Sequence, residues 1–249
     1  GEKSVGLFAE DYTEKNLENA GKIAIVGDSG IGMYYKAGAL TQDVTMENKT
    51  GAKISGTELG GTNPAASVKR VGMYSEVNSS SKKLTAKNSG DIKILGDGAS
   101  SIGDANIGMY TNATAAGTNP LENAGTIELG KYGIGMYGWD LDTSGDITVG
   151  DGGVAIYSQG GDVNMTASGT KKIKVGKDAR GILVVGDGQT VTATNYEYEI
   201  GDGSYGFVNR NSGSTGNTFT ISGGKATLGN KGKFIYSSDT KGNITNSTD

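Results

Sequence analysis

A four-residue motif recurs along the whole chain and constrains its fold more than any other feature. It consists of a β-branched residue, a glycine or alanine, a large apolar residue and an aromatic residue, as in the stretch from Ile134 to Tyr137. Nine copies align on the small residue, the later ones more loosely, and successive copies lie 20 to 40 residues apart. The aligned positions are Gly6, Gly32, Gly72, Gly108, Gly135, Ala155, Gly181, Gly206 and Phe234. Such a repeat is typical of solenoids, in which each copy forms one structural unit.

A second element, a short β-rich stretch that ends on glycine, precedes eight of the nine copies, as in Ile127 to Gly130. The step from this glycine to the small residue is five positions in six copies, and twelve in the copies that follow Gly60 and Gly96. A fixed internal spacing with variable outer spacing indicates stacked turns. Between copies, Asn-x-Gly or Thr-x-Gly corners begin at Asn19, Asn88, Asn123 and Thr143.

Apolar and polar residues alternate within each copy, which is the pattern of a half-buried strand. Ile127 and Leu129 flank Glu128 and therefore share one face. In the following strand we expect the methionine column to point inward and the tyrosine column outward, with the small residue on the outward face beside the rings. The opposite orientation, with glycine and tyrosine inward, stays open at this point. Because stacked turns lie ~4.8 Å apart, outward tyrosines would form an aromatic ladder.

These patterns predict an all-β fold, a right-handed, three-sided parallel β-helix (β-solenoid) of about nine turns. The hand follows from the general preference of parallel crossover connections. Because repeat strands run from residue 5 to residue 237, residues 1–249 are expected to form a single β-helix segment. Capping segments, which solenoids need, are not evident at either end, so we expect a fragment of a longer solenoid.

Composition limits the chemistry that this chain can perform. Glycine is abundant, with 44 residues against two prolines, and hydrophobic residues make up 35%, which argues against helical bundles and layered α/β folds. The chain has no cysteine and no histidine, so it lacks disulfides, thiolate metal sites and the commonest general base. The net charge is −4 and no basic stripe is visible, so nucleic acid is not expected as a partner. We expect no cofactor, no metal site and no enzymatic activity.

Acidic side chains offer two chemical interpretations. The pairs Asp140 with Asp142 and Glu197 with Glu199 each lie on one face of an extended chain, and paired carboxylates could act as acid and base on a sugar. Their outer-face position favours the simpler interpretation of solvated side chains. Aspartates of the glycine corners, such as Asp151, are interpreted as turn caps. The nine-residue period of calcium-binding β-rolls is missing.

Two insertions of seven residues depart from the repeat, one after Gly60 and one after Gly96. They occupy the same corner of consecutive turns and should protrude side by side, and loops on rigid scaffolds often carry recognition. The tightest turn follows Tyr137 and contains the only tryptophan. The tyrosine ladder is interpreted as packing, with a sugar- or protein-binding strip as the alternative. The candidate partner-binding residues are Thr62, Asn63, Lys69, Arg70, Ser100, Ser101, Asp104 and Trp139.

The combined motif, Asn-x-Gly-x-Ile-x-Leu/Val-Gly followed by Gly-Ile-Gly-Met-Tyr, resembles the passenger-domain repeats of the large fusobacterial type V autotransporter adhesins. It is carried by Asn19–Tyr34, Asn88–Tyr110 and Asn123–Tyr137, and it weakens after about residue 180. The resemblance implies a monomeric passenger segment on the extracellular face of a Gram-negative outer membrane. Its membrane attachment would run only through a C-terminal barrel that this sequence lacks.

The function implied by this resemblance is attachment to host cells or to other bacteria, with a surface protein or glycan as partner. The repeat is scaffold, so the resemblance transfers no binding residue to this chain. The alternative is a carbohydrate-active β-helix enzyme of the polysaccharide lyase or glycosidase kind, which rests on fold analogy alone.

Overall fold

The computed structural model describes residues 4–10, 15–27, 29–56, 69–77, 82–98, 104–112, 120–211, 213–239 and 241–249. These ranges contain 24 β-strands and no α-helix. The strands are β1 (Val5–Glu10), β2 (Leu17–Asn19), β3 (Lys22–Ala24), β4 (Ile31–Ala37), β5 (Val44–Asn48), β6 (Lys53–Ser55), β7 (Val71–Val77), β8 (Leu84–Asn88), β9 (Asp91–Ile94), β10 (Ile107–Thr111), β11 (Leu121–Asn123), β12 (Thr126–Leu129), β13 (Ile134–Gly138), β14 (Leu141–Thr143), β15 (Asp146–Val149), β16 (Val154–Ser158), β17 (Val163–Val175), β18 (Arg180–Val185), β19 (Thr190–Ile200), β20 (Tyr205–Arg210), β21 (Thr218–Ser222), β22 (Lys225–Leu228), β23 (Lys233–Ser237) and β24 (Asn243–Ser247).

The strands stack in three parallel columns, one strand of each column in a turn. The first column, here called the first face, is the nine-stranded sheet β1-β4-β7-β10-β13-β16-β18-β20-β23. The second face begins with β2-β5-β8-β11-β14, and the third face with β3-β6-β9-β12-β15. The long strands β17 and β19 pair with both, and β21 and β22 continue the second and third faces. The predicted fold, a parallel β-helix with three strands in each turn, is therefore confirmed.

The interior is formed by the apolar columns that the alternation predicts. Met73, Met109 and Met136 are aligned across β7, β10 and β13, and all three are fully buried. Ile127 and Ile147, aligned on the third face, are fully buried as well. These side chains belong to one continuous apolar cluster that runs through the stacked turns. The prediction that the methionine column points inward is confirmed.

The prediction that the small residue of the repeat lies on the outward face is wrong. Gly108 is buried, and a Cβ at this position would lie 2.8 Å from Cγ2 of Ile127 and 2.5 Å from the carbonyl oxygen of Gly135. The pairing between β10 and β13 skips both glycines, so the regular alternation of sides is broken at this point. As a consequence, the β-branched residue before the glycine, such as Ile107, packs with the outward tyrosines.

A ladder of buried asparagine side chains lines the corner between the second and third faces. Asn19 donates its amide N–H to Oδ1 of Asn48, Asn48 donates to Asn88, and Asn88 to Asn123, each at 2.8 Å. Asn123 ends the ladder by donating to Oγ1 of Thr143 at 3.3 Å. Because each amide is both donor and acceptor, every turn satisfies buried polar groups of its neighbours.

The corner between the third and first faces is held by aspartates that accept a backbone N–H from the next turn. Asp151 accepts from Lys177 at 2.8 Å, and Asp202 accepts from Asn230 at 2.6 Å. Asp97 makes a longer contact of the same kind, at 3.4 Å. These three aspartates therefore join consecutive turns, whereas the sequence predicted that each would cap its own turn.

The C-terminal turns form the corner between the second and third faces differently. Strands β17 and β19 run through it without interruption, over 13 and 11 residues. Within β19, Asn195 has a φ of 60°, and the next residue, Tyr196, donates its hydroxyl to the carbonyl oxygen of Gly145 at 3.0 Å. Nearby, Phe207 makes edge contacts with Tyr198 and with Phe219 in the core.

Candidate binding surface

The two insertions are anchored on neighbouring turns. Four candidate residues, Thr62, Asn63, Ser100 and Ser101, lie outside the described residues. At the described ends, Nζ of Lys69 lies 2.8 Å from Oδ1 of Asp104, and the N–H of Lys69 donates to the carbonyl oxygen of Asp104 at 3.3 Å. The C-terminal ends of both insertions therefore lie side by side.

Arg70 is a structural residue, and we correct its assignment as a partner-binding residue. It is 2% exposed. Its guanidinium donates to the carbonyl oxygens of Gly27 at 3.0 Å, Gly56 at 2.5 Å and Val26 at 3.1 Å. A buried cation is costly unless its donors are satisfied in this way. Arg70 consequently holds neighbouring turns together at the end of the first insertion.

Asn106 plays the matching role at the end of the second insertion, and the sequence analysis did not identify it. It is fully buried, its Oδ1 accepts the N–H of Arg70 at 3.1 Å, and its Nδ2 donates to the carbonyl oxygen of Gly96 at 2.9 Å. A sequence signal did exist, because Arg70 and Asn106 are large polar residues at a position that is small in the other described copies. Those copies have Ser4, Gly30, Gly133, Gly153, Ala179, Ser204 and Gly232 there.

A ladder of stacked aromatic rings runs along the outer surface of the first face, as predicted. Tyr34, Tyr74, Tyr110, Tyr137 and Tyr157 stack with ring centroids 4.7 to 5.1 Å apart and interplanar angles of 2° to 17°. Each ring covers the face of the next one. The ladder therefore presents ring edges and hydroxyls to solvent, and it offers no open ring faces between its members.

Apolar side chains support the tyrosine ladder from one side. Ile107 and Ile134 are 7% and 3% exposed and pack with the ladder tyrosines in a cluster separate from the main core. After Tyr157 the column continues as Leu183 and Val208, so the stack of rings ends there. This packing supports the interpretation of the ladder as a stabilising layer.

Glu76 binds two of the ladder hydroxyls. The hydroxyl of Tyr34 donates to Oε2 of Glu76 at 2.8 Å, and that of Tyr74 donates to the same atom at 3.2 Å. Burial, and after it the carboxylate of Glu76, raises the pKa of both tyrosines. Burial also raises the pKa of Tyr137 to about 12. These three hydroxyls are therefore uncharged at neutral pH.

Trp139 lies beside the ladder, two residues after Tyr137, and is partly exposed. Its six-membered ring packs on the backbone of the next turn, because a Cβ at Gly160 would lie 2.9 Å from its Cζ3 atom. Gly160 has a φ of 151°, which favours glycine at this contact. The uncovered part of the ring remains at the edge of the first face, and a partner-binding role for Trp139 stays a prediction.

The two carboxylate pairs have different surroundings. Glu197 and Glu199 face Lys172 and Lys174 on the neighbouring strand, with Nζ of Lys174 lying 3.0 Å from Oε2 of Glu199. Hydrogen bonds from Lys172 and then from Lys174 lower the pKa of Glu199. A carboxylate kept ionised by two lysines is a poor proton donor. The interpretation of solvated surface charges is therefore favoured for this pair.

Asp142 lines a groove of about 270 Å³ on the second face. The groove is also bordered by Lys87, Glu122 and Asn164, whereas Asp140 is not among its lining residues. Glu122 and Asp142 are aligned on the adjacent strands β11 and β14. Two carboxylates therefore lie next to each other in this groove, although they are not the pair that the sequence indicated.

Comparisons with protein families, with curated proteins and with solved structures gave no match for this chain. Within the residues that the structure describes, none of the elements is a helix with the length and hydropathy needed to span a membrane.

Proposed function

We propose that this protein is a rigid, surface-displayed segment of a bacterial autotransporter adhesin, which attaches to host cells or to other bacteria through the two insertions. The observation that carries the proposal is the way the insertions are anchored. Arg70 and Asn106 are buried at their ends, and each bonds both to the backbone that precedes its own insertion and to a neighbouring turn. An ion pair joins Lys69 to Asp104 across the same place. Loops held by a rigid base are typical of recognition sites.

The scaffold supports a display role. Nine parallel strands of the first face, at a spacing of ~4.8 Å, extend over about 40 Å. The interior is filled by apolar side chains, and the asparagine and tyrosine ladders connect the turns along the axis. A solenoid of this kind keeps an attached loop in a fixed position relative to the rest of the body.

The location and the partner in this proposal come from the resemblance of the repeat. A passenger segment of a type V adhesin acts as a monomer on the extracellular face of a Gram-negative outer membrane. Its partner is a protein or a glycan on the surface of a host cell or another bacterium. The role proposed here is binding, without a catalytic step.

A carbohydrate-active enzyme is the second candidate, and the groove on the second face is the observation that favours it. Glycoside hydrolysis uses two carboxylates about 5–9.5 Å apart, and Glu122 lies on the strand next to that of Asp142. Release of reducing or unsaturated sugars from a panel of polysaccharides, abolished in Glu122→Gln, would support this candidate. Cell binding without sugar release would leave the adhesin as the better description.

The adhesin proposal is tested by immobilising the chain and counting attached epithelial and bacterial cells. Deletion of the seven residues Thr62–Val68 shortens the step from Gly60 to Gly72 from twelve positions to the five found in six other copies. The scaffold should therefore remain folded, which circular dichroism can verify. We expect the deletion to lower cell attachment strongly, with the second insertion accounting for attachment that remains through loops.

A matched control removes side chains elsewhere on the scaffold. Lys93 and Glu128 form an exposed ion pair on the third face, with Nζ 2.9 Å from Oε2. The double variant Lys93→Ser with Glu128→Ser should bind cells like the unmodified chain. The loop hypothesis is refuted if the deletion leaves cell attachment unchanged. It is also refuted if the control variant loses as much cell attachment as the deletion variant does.

A further inference from the structure

The C-terminal turns carry a cleft on the outer surface of the first face that the proposed function does not use. It has a volume of about 160 Å³ and is lined by Arg180, Tyr205, Val208, Arg210 and Tyr236. A larger opening of about 470 Å³ shares Arg180 with it. The other residues that line this opening are Lys131, Tyr132, Asp151, Gly152, Lys177 and Asp178. The two openings together are called the arginine cleft.

The arginine cleft begins where the repeat changes its chemistry. In the column of outward β-branched residues, Val154 is aligned with Arg180, Arg180 with Tyr205, and Tyr205 with Lys233. In the preceding turns this column is apolar and packs with the tyrosine ladder. Charged residues at these positions do not support the ladder. Departures from a local pattern of this kind are expected at functional sites.

Neither guanidinium of the cleft is used by the fold. Among the described residues, Arg180 and Arg210 have no side-chain hydrogen bond and no ion pair. The third arginine of the chain, Arg70, is by contrast satisfied by three carbonyl oxygens. The chain carries a net charge of −4, so two unpaired arginines in one cleft are a local exception to its overall charge.

The two carboxylates that line the cleft do not pair with the arginines. Oδ1 of Asp151 accepts the N–H of Lys177 at 2.8 Å, and Oδ2 of Asp178 lies 3.9 Å from Nζ of that lysine. Lys233 adds a further positive charge at the margin of the cleft, with its Nζ 5.0 Å from the ring centroid of Tyr205. Positive charge therefore predominates beside the tyrosine rings.

We propose that the arginine cleft binds the acidic group of an anionic glycan, either a carboxylate or a sulfate carried on a sugar ring. A guanidinium fork donates two parallel hydrogen bonds to an anion with several oxygens. Next to the arginines, the partly exposed rings of Tyr205 and Tyr236 provide an apolar wall for the C–H face of a sugar ring, with the buried Val208 behind them. This binding uses neither insertion, so it is independent of the loop hypothesis.

An acidic peptide fits the cleft less well than a glycan does. The smaller opening lies on the outer surface of strands β18, β20 and β23. Strands β18 and β20 are paired on both sides, and β23, which ends the sheet in the part of the chain that the structure describes, has its unpaired edge along the solenoid axis rather than on this surface. A peptide that adds to a sheet needs an exposed strand edge with free backbone groups. Recognition on this surface depends on side chains, which is how an anionic sugar would be bound.

The test measures binding of the 1–249 chain to four immobilised probes. They are heparin as a sulfated glycan, polygalacturonate as a carboxylated glycan, dextran as a neutral glycan, and polyglutamate as an acidic peptide. We expect binding to at least one acidic glycan, none to dextran, and a Kd that weakens with added salt because the contacts are charged. The double variant Arg180→Gln with Arg210→Gln should raise the Kd about tenfold or more, since hydrogen bonds that involve charged groups are stronger than neutral ones.

Two further variants separate the arginine forks from general positive charge. Arg180→Lys with Arg210→Lys keeps the charge and loses the fork, so its Kd should lie between those of the unmodified chain and the glutamine variant. Lys53→Gln with Lys93→Gln removes two charges from the third face and should leave the Kd unchanged. The deletion of Thr62–Val68 should also leave it unchanged, which separates this site from the insertions.

The proposal is overturned if neither acidic glycan binds, if the third-face control weakens binding as much as the arginine variant, or if polyglutamate binds as tightly as the glycans. Binding to heparin alone identifies sulfate as the recognised group, and binding to polygalacturonate alone identifies carboxylate. Both results support the site. Circular dichroism of the glutamine variant verifies that its loss of affinity does not result from unfolding.

Discussion

The N-terminal turns, up to β16, and the C-terminal turns, from β17 onward, form the same corner by different means. In the N-terminal turns, separate short strands meet at asparagines whose side chains bond from turn to turn at 2.8 Å. In the C-terminal turns, β17 and β19 run through the corner, and the hydroxyl of Tyr196 reaches back to Gly145 at 3.0 Å. One chain path is thus stabilised either by a line of buried amides or by aromatic packing.

The outer surface of the first face shows a parallel difference. In the N-terminal turns it carries uncharged stacked tyrosines over apolar residues. In the C-terminal turns the corresponding column contains Arg180, Tyr205 and Lys233. The hydrogen-bonded strands are alike in both regions, so they fix the shape of the solenoid. The side chains of a column are free to change from one turn to the next, and with them the chemistry of the surface.

The largest effect is expected from Phe207→Ala, which tests whether aromatic packing holds the C-terminal turns. Phe207 is fully buried, and its ring centroid lies 5.3 to 6.3 Å from those of Tyr198, Phe234 and Phe219. Its truncation should lower the free energy of unfolding by about 3–5 kcal/mol in a denaturant titration. Hydrogen exchange should accelerate mainly in β18 to β23, since each turn contacts only its neighbours. Equal acceleration in β7 to β13 would contradict a regional role.

A smaller loss is expected when the asparagine ladder is interrupted. Asn88→Ala leaves Oδ1 of Asn123 without its partner, and Nδ2 of Asn48 keeps only its longer hydrogen bond, to the carbonyl oxygen of Asp91 at 3.3 Å. The cost should be about 2–4 kcal/mol, because a buried polar group left unsatisfied costs about 1–3 kcal/mol and a lost hydrogen bond about 1 kcal/mol. Thermal or denaturant unfolding measures the loss. Asn164→Ala, at an exposed position of the second face, serves as control and should change stability by less than about 0.5 kcal/mol. Similar values for both variants would remove the ladder as a stabilising feature.

The tyrosine ladder should contribute less than the buried features, because its rings remain partly exposed. Tyr110→Ala removes contacts with both neighbouring rings, at centroid distances of 4.9 and 5.1 Å. We expect a loss of about 1–2 kcal/mol, since an aromatic pair contributes about 0.5–1.5 kcal/mol beyond its buried area. Tyr110→Phe keeps the stack and should unfold close to the unmodified chain. A loss in the phenylalanine variant as large as in the alanine variant would show that the hydroxyl, not the stack, matters.

Two tyrosines in the C-terminal core provide a matched pair for the role of the hydroxyl. Tyr196 donates to the carbonyl oxygen of Gly145, whereas the buried hydroxyl of Tyr198 has no hydrogen-bond partner in the part of the chain that the structure describes. Tyr196→Phe should cost about 1 kcal/mol, and Tyr198→Phe should be neutral or slightly stabilising. The difference between their unfolding midpoints is the measurement. The reverse order would contradict the geometry of this corner.

The smallest effect is a dependence of stability on alkaline pH. The pKa of Tyr137 is raised from 10.0 to about 12 in the folded chain by burial. Below pH 10 the hydroxyl is protonated in both states, so its contribution is constant. Above pH 10 the unfolded state ionises first, and this contribution is lost as the pH rises through about 12. Between pH 9 and 11, the free energy of unfolding should therefore fall less in Tyr137→Phe than in the unmodified chain. Because the group is partly exposed, the two decreases should differ by at most about 1 kcal/mol. If the stability of both chains depends on pH in the same way, the raised pKa of Tyr137 is contradicted.

Much of the architecture could be predicted from the sequence because it repeats with a fixed internal spacing. The spacing of glycines and apolar residues predicted the stacked turns, the inward Met109 and the outward Tyr110, and all three are confirmed. The inward position of Gly108 was missed, because the alternation rule assumes an unbroken ladder and the pairing skips this residue. The corner at Asn48 was missed because its glycine comes one position later than in the other corners, at Gly51.

The candidate binding residues were harder to predict than the fold. Arg70 follows an insertion and was therefore assigned to binding, yet it is buried and bound to carbonyl oxygens of its own turn and of the preceding one. Those oxygens are distant in sequence, at Val26, Gly27 and Gly56, so no local pattern reveals them. The arginine cleft was missed for the same reason, since Arg180 and Arg210 come together only through the stacking of β18 on β20.

The asparagine ladder has a direction, because every amide donates toward the next turn in the sequence and accepts from the previous one. A stack that is formed only as far as Asn88 ends in an unused Nδ2 donor, at the place where Oδ1 of Asn123 will lie. Each completed turn is therefore a template for the following one. It discourages a slip of one residue, which would turn the incoming amide away from its donor.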